Sequence, residues 1–393
     1  MRILIHDFAG HPFQVQLSRA LSSRGYTVLH VYSKSVQTPK GSLHKKNDDS
    51  RNFDVIGISQ EKPFPKYSII KRWFAEKAYR KNLLNVANDF KPDIVMSGNT
   101  PLDIQKVFLA QCKKKNIRFI YWVQDVYSVA IQYALKKKLP VLGQFISLYY
   151  KKLEKFLLNR SDHIVVISED FKKVIAGWVN TKNITVIENW APLDEIQPQP
   201  KKNQWSISHG ISDKFCFLYS GTLGMKHNPD ILLQLAKQFR NENDTVIVII
   251  SEGIGIDWLK AEVIREKLEN VRFYKYLDFE LFPLALSSAD VLLAILEKEA
   301  GVYCVPSKVL TYHCIGKPLL LSVPKENLVS RIVKSNTSGF VAESGDVDSF
   351  CRSAEKLKKD DNLRMKFGEN AQKYAQNNFD INTICNSFIR CFN

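Results

Sequence analysis

Short apolar runs alternate with longer amphipathic stretches along the chain, and this alternation predicts the secondary structure. The runs are rich in Val and Ile, which is typical of parallel strands buried on both faces. The stretches between them repeat apolar residues every three or four positions, which is typical of helices that cover a sheet. Seven strands are predicted in the first half, at residues 1–7, 27–32, 54–59, 93–97, 118–123, 162–167 and 185–187.

Residues 191–208 lack this periodicity, carry three prolines and are predicted to be an interdomain linker. The alternation then restarts, and a helical region follows from residue 347. The pattern indicates an α/β protein with two doubly wound domains and a cleft between them, with ligands beyond the carboxyl ends of the strands. The strands of the second half are predicted at residues 215–220, 245–250, 271–274, 291–295 and 319–323.

Composition excludes several classes of protein. Apolar residues make up 45% and charged residues 24% of the 393 positions, which excludes wholesale disorder. The seven cysteines form no CxxC pair, so neither a disulfide scaffold nor a cysteine-type zinc site is expected, and a reducing compartment fits. The first residues, MRILI, predict a strand rather than a secretory signal, and no apolar run is long enough to span a bilayer.

The net charge of +16 lies in one half of the chain. Residues 1–190 contain 31 Lys and Arg against 15 Asp and Glu, whereas residues 191–393 contain 25 of each. An anionic partner of the first half is therefore expected: a membrane surface, a phosphorylated substrate or nucleic acid. Solubility alone is the alternative explanation.

Two segments of the second half have the features of a diphosphate site. After the strand 215–220, a turn contains Gly221 and Gly224 with Lys226 close behind, so backbone amides and an ammonium group can face an anion. A helix is predicted to start at Ser307, with Lys308 in its first turn. The helix dipole disfavours a lysine there, which indicates that an anion binds beside it.

These segments, SGTLGMKHNPD (220–230) and VPSKVLTY (305–312), resemble the retaining glycosyltransferases of family 4, as do VVISEDF (165–171) and VIENWAP (186–192). The branch that the chain resembles is the bacterial polysaccharide transferases of the WbuB/WcaI type. The resemblance covers nearly the whole chain and implies a GT-B fold of two Rossmann-like domains. It implies an acceptor domain at residues 1–190 plus about 375–393, the linker 191–208, and a nucleotide-sugar domain at residues 209–374.

The resemblance also implies roles for residues of the second domain. Lys226 corresponds to the basic residue that binds the donor diphosphate. It is expected to be catalytic because its positive charge stabilises the negative charge that develops on the leaving diphosphate. Ser307 and Lys308 correspond to the helix start that cradles the diphosphate. The remaining donor-binding residues implied by the resemblance are Gly221, Glu252 and Gly253 in glycine turns, and Tyr276 and Leu277 where the base is held.

The chain departs from the family pattern at two places. The usual pair of glutamates, eight residues apart, would fall on Tyr303 and Thr311, and Glu299 is a candidate substitute. The arginine that usually precedes the lysine of the first glycine turn is also absent; Thr222 stands near its place and is a candidate donor-binding residue. The sugar and the base of the donor are therefore not specified by the sequence.

In the first domain, Asp125 follows the strand 118–123, where the family has a His or an acid near the anomeric carbon. Asp125 is a candidate acceptor base or positioning residue, and a helix N-cap is the equal alternative. Gly10, in the loop after the first strand, is expected to form a small turn under the donor. A histidine at such a position, here His11, is more often structural than catalytic. Residues 98–100 are candidates for lining the acceptor site.

Two stretches of the basic half mix aromatic and basic residues, at 64–81 and 139–150, the second flanked by lysines. Both could lie at an anionic membrane interface, although core helices have similar patterns. We therefore expect a peripheral protein at the cytoplasmic, inner face of the plasma membrane. The expected reaction moves a sugar from a nucleotide-diphosphate sugar, with UDP the favoured nucleotide, to a lipid-linked or polysaccharide-precursor hydroxyl.

Neither a metal nor a cofactor is expected, because no metal-ligand cluster is evident and basic residues can replace a cation. Three alternatives stay open: a nucleotide-sugar epimerase of the same architecture, transfer to a soluble small acceptor, and a nucleic-acid binder. The last is suggested by charge alone, since no recognition motif supports it, and no nucleic-acid partner is expected. The acceptor, the linkage and the oligomeric state are not specified by the sequence.

Overall fold

The computed structural model describes residues 1–36, 40–59, 69–138, 142–179, 183–224, 227–298 and 301–392. The chain forms two compact units. Unit 1 consists of Met1–Asn189 together with Ile381–Asn393, and unit 2 consists of Trp190–Asp380. Each unit contains one parallel sheet with helices packed on it, as the Val- and Ile-rich runs predict.

The sheet of unit 1 has seven parallel strands in the order β3-β2-β1-β4-β5-β6-β7. The order reverses between β1 and β4, which pair directly, with Asp7 opposite Gly98. The strands are β1 (Arg2–Asp7), β2 (Thr27–Ser33), β3 (Phe53–Ile58), β4 (Ile94–Gly98), β5 (Arg118–Val123), β6 (His163–Val166) and β7 (Ile184–Val186).

The helices of unit 1 connect these strands and cover the sheet. Helix α3 packs between α2 and α5, and these three helices therefore form one layer. The helices are α1 (Pro12–Ser23), α2 (Ile69–Phe90), α3 (Leu102–Lys114), α4 (Tyr127–Lys138), α5 (Leu142–Arg160) and α6 (Glu169–Ala176).

The sheet of unit 2 has six parallel strands in the order β10-β9-β8-β11-β12-β13. The strands are β8 (Phe215–Ser220), β9 (Thr245–Ile250), β10 (Val271–Tyr274), β11 (Val291–Ile295), β12 (Leu319–Ser322) and β13 (Gly339–Ala342). The helices are α7 (Gln204–Ser208), α8 (Asp230–Gln238), α9 (Ile254–Arg265), α10 (Phe282–Ser287), α11 (Ser307–Ile315), α12 (Leu328–Ser335), α13 (Val347–Lys359) and α14 (Asp361–Asn378).

The segment predicted as an irregular linker contains a short helix. Residues 204–208 form α7, because the side chain of Asn203 accepts hydrogen bonds from the backbone amides of Trp205 and Ser206 and completes a capping box. Trp205 is buried and anchors the helix. The start of α11 at Ser307 and its end at Gly316, which has a φ of 68°, agree with the sequence prediction.

The last helix, α15 (Ile381–Ile389), belongs to unit 1. It packs on α1, where the guanidinium of Arg24 donates hydrogen bonds to the backbone and side-chain oxygens of Asn382 at 3.1 and 3.0 Å. The ring of Phe388 lies edge-on against Trp122 of β5, with 4.7 Å between the centroids. Unit 1 is therefore built from two segments that are distant in the sequence.

Candidate active site

The glycine turn after β8 brings the backbone of unit 2 against Lys308. Gly221 has a φ of 120°, a conformation that side chains rarely adopt. A Cβ atom at this position would lie 2.6 Å from Nζ of Lys308, so only glycine leaves room for the ammonium group. The structure thus brings together two residues that are 87 positions apart and that the sequence assigned to one diphosphate site.

Lys308, at the start of α11, is poorly solvated. Its Nζ lies 4.0 Å from the centroid of the Tyr219 ring, and burial lowers its pKa to about 7. Within the described residues no acidic side chain pairs with it, and no side chain caps the N-terminus of α11. A desolvated ammonium group beside uncapped helix amides favours an anion as its partner.

A second loop borders the glycine turn. The backbone amide of Leu223 donates to the carbonyl of Glu252 at 3.4 Å, and the amide of Gly255 donates to the carbonyl of Leu223 at 3.0 Å. Gly253, with a φ of 126°, allows this approach, because a Cβ there would lie 2.9 Å from the Leu223 oxygen. The two glycine turns therefore form one continuous edge of unit 2.

Tyr276 closes this edge from the segment after β10. Its hydroxyl group and Oγ1 of Thr222 are 2.6 Å apart, and burial raises the pKa of Tyr276. The hydroxyl group of Tyr219 donates a hydrogen bond to the carbonyl of Thr222 at 2.9 Å, and this bond holds the glycine turn in place against β8. Leu277 follows Tyr276 and is half-buried.

Most of the residues predicted for the donor therefore share one edge of the second sheet. Gly221, Thr222, Glu252, Gly253 and Tyr276 are linked by the contacts above, and Lys308 follows Ser307 at the start of α11. Two predicted residues, Lys226 and Glu299, lie outside the described residues. Gly10 and Asp125 belong to unit 1.

The sequence analysis missed the residue that holds the loop before α11. The amide group of the fully buried Asn327 donates to the carbonyls of Gly301 and Cys304, the latter at 2.8 Å. Its Oδ1 accepts from the amide of Val329 at 3.1 Å and so caps α12. An Asn before an apolar helix is a recognisable N-cap signal, but its bonds to the 301–304 loop depend on tertiary structure.

Asp125 lies in the loop between β5 and α4 and is partly exposed. The sequence analysis gave a helix N-cap as the alternative role of Asp125. At two of the first amides of α4, however, the capping group is Glu154 of α5. The carboxylate of Glu154 accepts from the amides of Tyr127 and Ser128, each at 3.0 Å. Burial raises the pKa of Glu154, which the sequence analysis did not single out.

Gly10 adopts a φ of 79° in the loop after β1, and its carbonyl accepts a hydrogen bond from the amide of Gly41 at 3.2 Å. Beside it the side chains of Asp7, His11 and Asn99 form one hydrogen-bonded group. Asp7 carried no predicted role, because a buried acid at a strand end has no sequence signature of its own.

Two properties of the described residues complete the picture of the site. No group of three or more His, Cys, Asp or Glu side chains among them could hold a metal ion. None of the described helices combines the length and the hydropathy needed to cross a membrane.

Two family models match successive parts of the chain. The model described as Glycosyltransferase Family 4 matches residues 13–195, and the model described as Glycosyl transferases group 1 matches residues 201–374. Their junction falls in the predicted linker. Together they account for most of the chain.

The chain is similar to several named proteins. It is 24% identical over 263 residues, or 66% of this chain and 64% of the relative, to the probable glycosyltransferase WbjE of Pseudomonas aeruginosa. It is 24% identical to the UDP-Gal:alpha-D-GlcNAc-diphosphoundecaprenol alpha-1,3-galactosyltransferase of Escherichia coli, over 60% of this chain and 61% of that enzyme. Each alignment thus spans somewhat less than two thirds of the relative.

Anabaena HepE, whose structure was solved in complex with UDP and glucose, has a similar fold. The TM-score is 0.72 at 15% identity, over 99% of this chain and 98% of HepE. The family models, the named relatives and the two parallel α/β units agree with one another. The chain therefore belongs to the family 4 glycosyltransferases, enzymes with the GT-B fold of two Rossmann-like domains.

Proposed function

We propose that the enzyme transfers a sugar from a UDP-sugar to a hydroxyl group of a lipid-linked acceptor in the synthesis of an envelope polysaccharide. The anomeric configuration is retained, and the reaction takes place at the cytoplasmic face of the plasma membrane. The observation that carries the donor assignment is the position of Lys308 against the turn at Gly221, as a poorly solvated ammonium group that pairs with no carboxylate in the described part of the chain.

The proposed mechanism is electrostatic. Negative charge develops on the diphosphate as its bond to the sugar breaks, and fixed positive groups in a poorly solvated site stabilise that charge. Lys308 and the amides at the start of α11 supply these groups, with Lys226 as a second cation. Asp125 is the proposed base or positioning group for the acceptor, and Tyr276 and Leu277 border the nucleotide base. Turnover does not require a metal ion.

Two relatives support the donor and the acceptor. HepE was crystallised with UDP and glucose, and the name of the E. coli relative specifies a UDP-sugar donor and a diphosphoundecaprenol-linked acceptor. The resemblance to the WbuB/WcaI branch supports an envelope polysaccharide as the product, and retention follows from the family resemblance.

The exposed face of α5 supports a lipid-linked acceptor. Phe145 is 68% exposed, and the other exposed apolar side chains of this helix recur on the same side. Lys151 and Lys152 are exposed beside them. Apolar side chains interleaved with lysines suit an interface with anionic lipids. The exposed apolar residues of α5 are Leu142, Phe145, Leu148, Tyr149 and Phe156.

A groove between α2 and α3 continues the same helix layer. It has a volume of about 570 Å³ and an apolar floor. Arg80 and Lys81 belong to its lining and make no ion pair with other described residues, so they are available to anionic headgroups. The first part of the aromatic and basic stretch at 64–81 lies outside the described residues. The groove is lined by Phe74, Lys77, Ala78, Arg80, Lys81, Leu84 and Val107.

The reaction is tested with a panel of UDP-sugars and undecaprenyl-diphosphate-linked N-acetylglucosamine as the acceptor. One UDP-sugar is expected to give a lengthened lipid-linked product with the anomeric configuration of the donor, at a rate that EDTA does not change. Equal transfer to a soluble sugar would contradict the lipid-linked acceptor. Release of an epimerised UDP-sugar without an acceptor would contradict sugar transfer as the reaction.

Membrane binding is tested by sedimentation with vesicles. The wild-type enzyme is expected to bind vesicles that contain phosphatidylglycerol more tightly than neutral ones. Replacing Phe145, Leu148 and Phe156 with serine removes apolar area worth several kcal/mol of burial and should weaken binding more than about tenfold. Serine at Ile207 and Ile264, equally exposed but in unit 2, is the control and should not weaken it. Binding that is unchanged by the α5 substitutions would contradict the proposal.

A further inference from the structure

A fully buried carboxylate ends β1. Oδ1 of Asp7 accepts hydrogen bonds from the amide of Ala9 at 3.1 Å and from the side-chain amide of Asn99 at 3.3 Å. Oδ2 accepts from the backbone amide of His11. All these donors lie in the loops after β1 and β4, so Asp7 ties the two loops together at the carboxyl edge of the sheet.

The His11 ring faces this carboxylate through one nitrogen only. Nδ1 lies 3.4 Å from Oδ1 of Asp7, whereas Nε2 has no hydrogen-bond partner among the described residues. Nδ1 also lies 3.2 Å from the side-chain nitrogen of Asn99. In the imidazolium both ring nitrogens carry a hydrogen, so Nδ1–H donates to Asp7, Asn99 keeps its own hydrogen bond to Asp7, and Nε2–H is available to a ligand. The side chain is 25% exposed, so a ligand can reach it.

Two buried histidines provide a contrast. In His6 both nitrogens are bonded, to hydroxyl groups of Ser97 and Tyr79 among others, and in His313 they are bonded to Val309 and Ser338. A histidine with a structural role uses its hydrogen-bonding capacity within the fold. His11 uses only Nδ1 within the fold, and its Nε2 forms no hydrogen bond with the described residues.

The charges that face His11 are negative. Asp7 of β1 and Asp125 of the loop after β5 act on the ring, while Asn99 after β4 and the Phe13 ring of α1 are neutral neighbours. Burial alone would lower the pKa of His11, but the two carboxylates outweigh it and raise that pKa. His30 of β2 interacts with Asp7 but is buried, which lowers its pKa to about 4 and keeps it neutral.

His11 also lies where this topology binds ligands. The strand order of unit 1 reverses between β1 and β4, and in doubly wound sheets the crevice beyond the carboxyl ends at such a reversal holds the ligand. His11 follows β1, and Asn99 follows β4. His11 and Asn99 therefore lie at the two strand ends that border this crevice.

We propose that His11 is an active-site cation of unit 1, held as an imidazolium by Asp7 and Asp125, and that its Nε2–H binds a phosphate oxygen of a substrate. This inference rests on the proposed function for the identity of the substrate, since both the UDP-sugar and a diphosphate-linked acceptor carry phosphate oxygens. Asp7 is a positioning residue, because it acts through His11.

Protonation is tested by NMR titration of ring-labelled histidine, with His11→Gln used to assign the resonance. The His11 resonance is expected to titrate above pH 6.5, the ordinary midpoint of a histidine side chain, and to move to lower pH in Asp125→Asn. Asp7→Asn should move it further, and Asp125→Asn serves alone if the buried substitution prevents folding. A His11 resonance that titrates at or below pH 6.5 would overturn the proposal.

Binding is tested with two ligands. His11→Gln should weaken either the affinity for UDP or the interaction with undecaprenyl-diphosphate-linked N-acetylglucosamine by about tenfold, the effect of one hydrogen bond to a charged group. A loss for UDP identifies the donor as the source of the phosphate oxygen, and a rise in KM for the lipid alone identifies the acceptor. His44→Gln is the control. Unchanged binding of both ligands would overturn the proposal.

Inorganic pyrophosphate separates this proposal from the proposed function. If the wild-type enzyme binds no UDP, the donor assignment is wrong, whereas pyrophosphate should still shift the His11 resonance and raise its titration midpoint. A resonance that pyrophosphate leaves unmoved, in an enzyme that binds UDP normally with or without His11, would contradict the role of His11 alone.

Discussion

Replacing Lys308 with methionine is expected to lower turnover with a UDP-sugar by about a hundredfold, the usual cost of removing one fixed group that stabilises developing charge. Methionine keeps an apolar stem over the Tyr219 ring and fills the space beside Gly221. Because the substitution removes a poorly solvated charge that none of the described carboxylates pairs with, the free energy of unfolding should not fall. Steady-state kinetics and denaturant unfolding of the same preparation measure both quantities.

The pH dependence of kcat/KM is a second test of the role of Lys308. The pKa of Lys308 is about 7 in the free enzyme, so kcat/KM of the wild type should decrease as the pH rises above 7 and the ammonium group loses its proton. Lys308→Met should lose this component. Lys325→Met, an exposed lysine in a loop of the same unit, is the control. Wild-type turnover in Lys308→Met would refute the diphosphate role of this residue.

Acidification from pH 6.5 to pH 4 is expected to reduce the stability of both units. Burial lowers the pKa of His6 to about 3 and those of His30 and His313 to about 4, so these rings stay neutral in the folded state. In the unfolded chain they bind protons below about pH 6.5. Their contribution to stability is therefore complete above pH 6.5 and is lost as the pH falls towards 4.

His313 allows the size of this effect to be measured in unit 2. A shift from 6.5 to about 4 corresponds to about 3 kcal/mol at 1.4 kcal/mol per unit of pKa. His313→Gln should lower stability at pH 7.5, where it loses the bonds to Val309 and Ser338, and should reduce the slope of stability against pH between 6.5 and 4. Denaturant unfolding at several pH values measures this slope, and a slope equal to that of the wild type would contradict the assignment.

The strands of both sheets could be predicted because buried parallel strands are continuous apolar runs. The runs at 245–250 and 291–295, for example, coincide with β9 and β11. The edge strand β13 was missed, since Gly339–Ala342 is short and only half-buried.

The site could be predicted in its parts but not in its contacts. Glycines after a strand and a lysine at a helix start are visible in the sequence, whereas the approach of Lys308 to Gly221 depends on the pairing of β8 with β11. The group of Asp7, His11 and Asn99 likewise joins the ends of two strands that are distant along the chain. Sequence patterns report local structure, and these contacts are produced by the order of strands in the sheet.

The return of α15 to unit 1 has a consequence for biosynthesis. Translation proceeds from the N-terminus, so every residue of unit 2 has been polymerised before the segment that contacts Arg24 and Trp122 emerges. During translation, the surface of the first sheet around Trp122 therefore stays uncovered while the second domain is synthesised. The nascent chain can finish unit 2 early, and it completes unit 1 only when α15 docks.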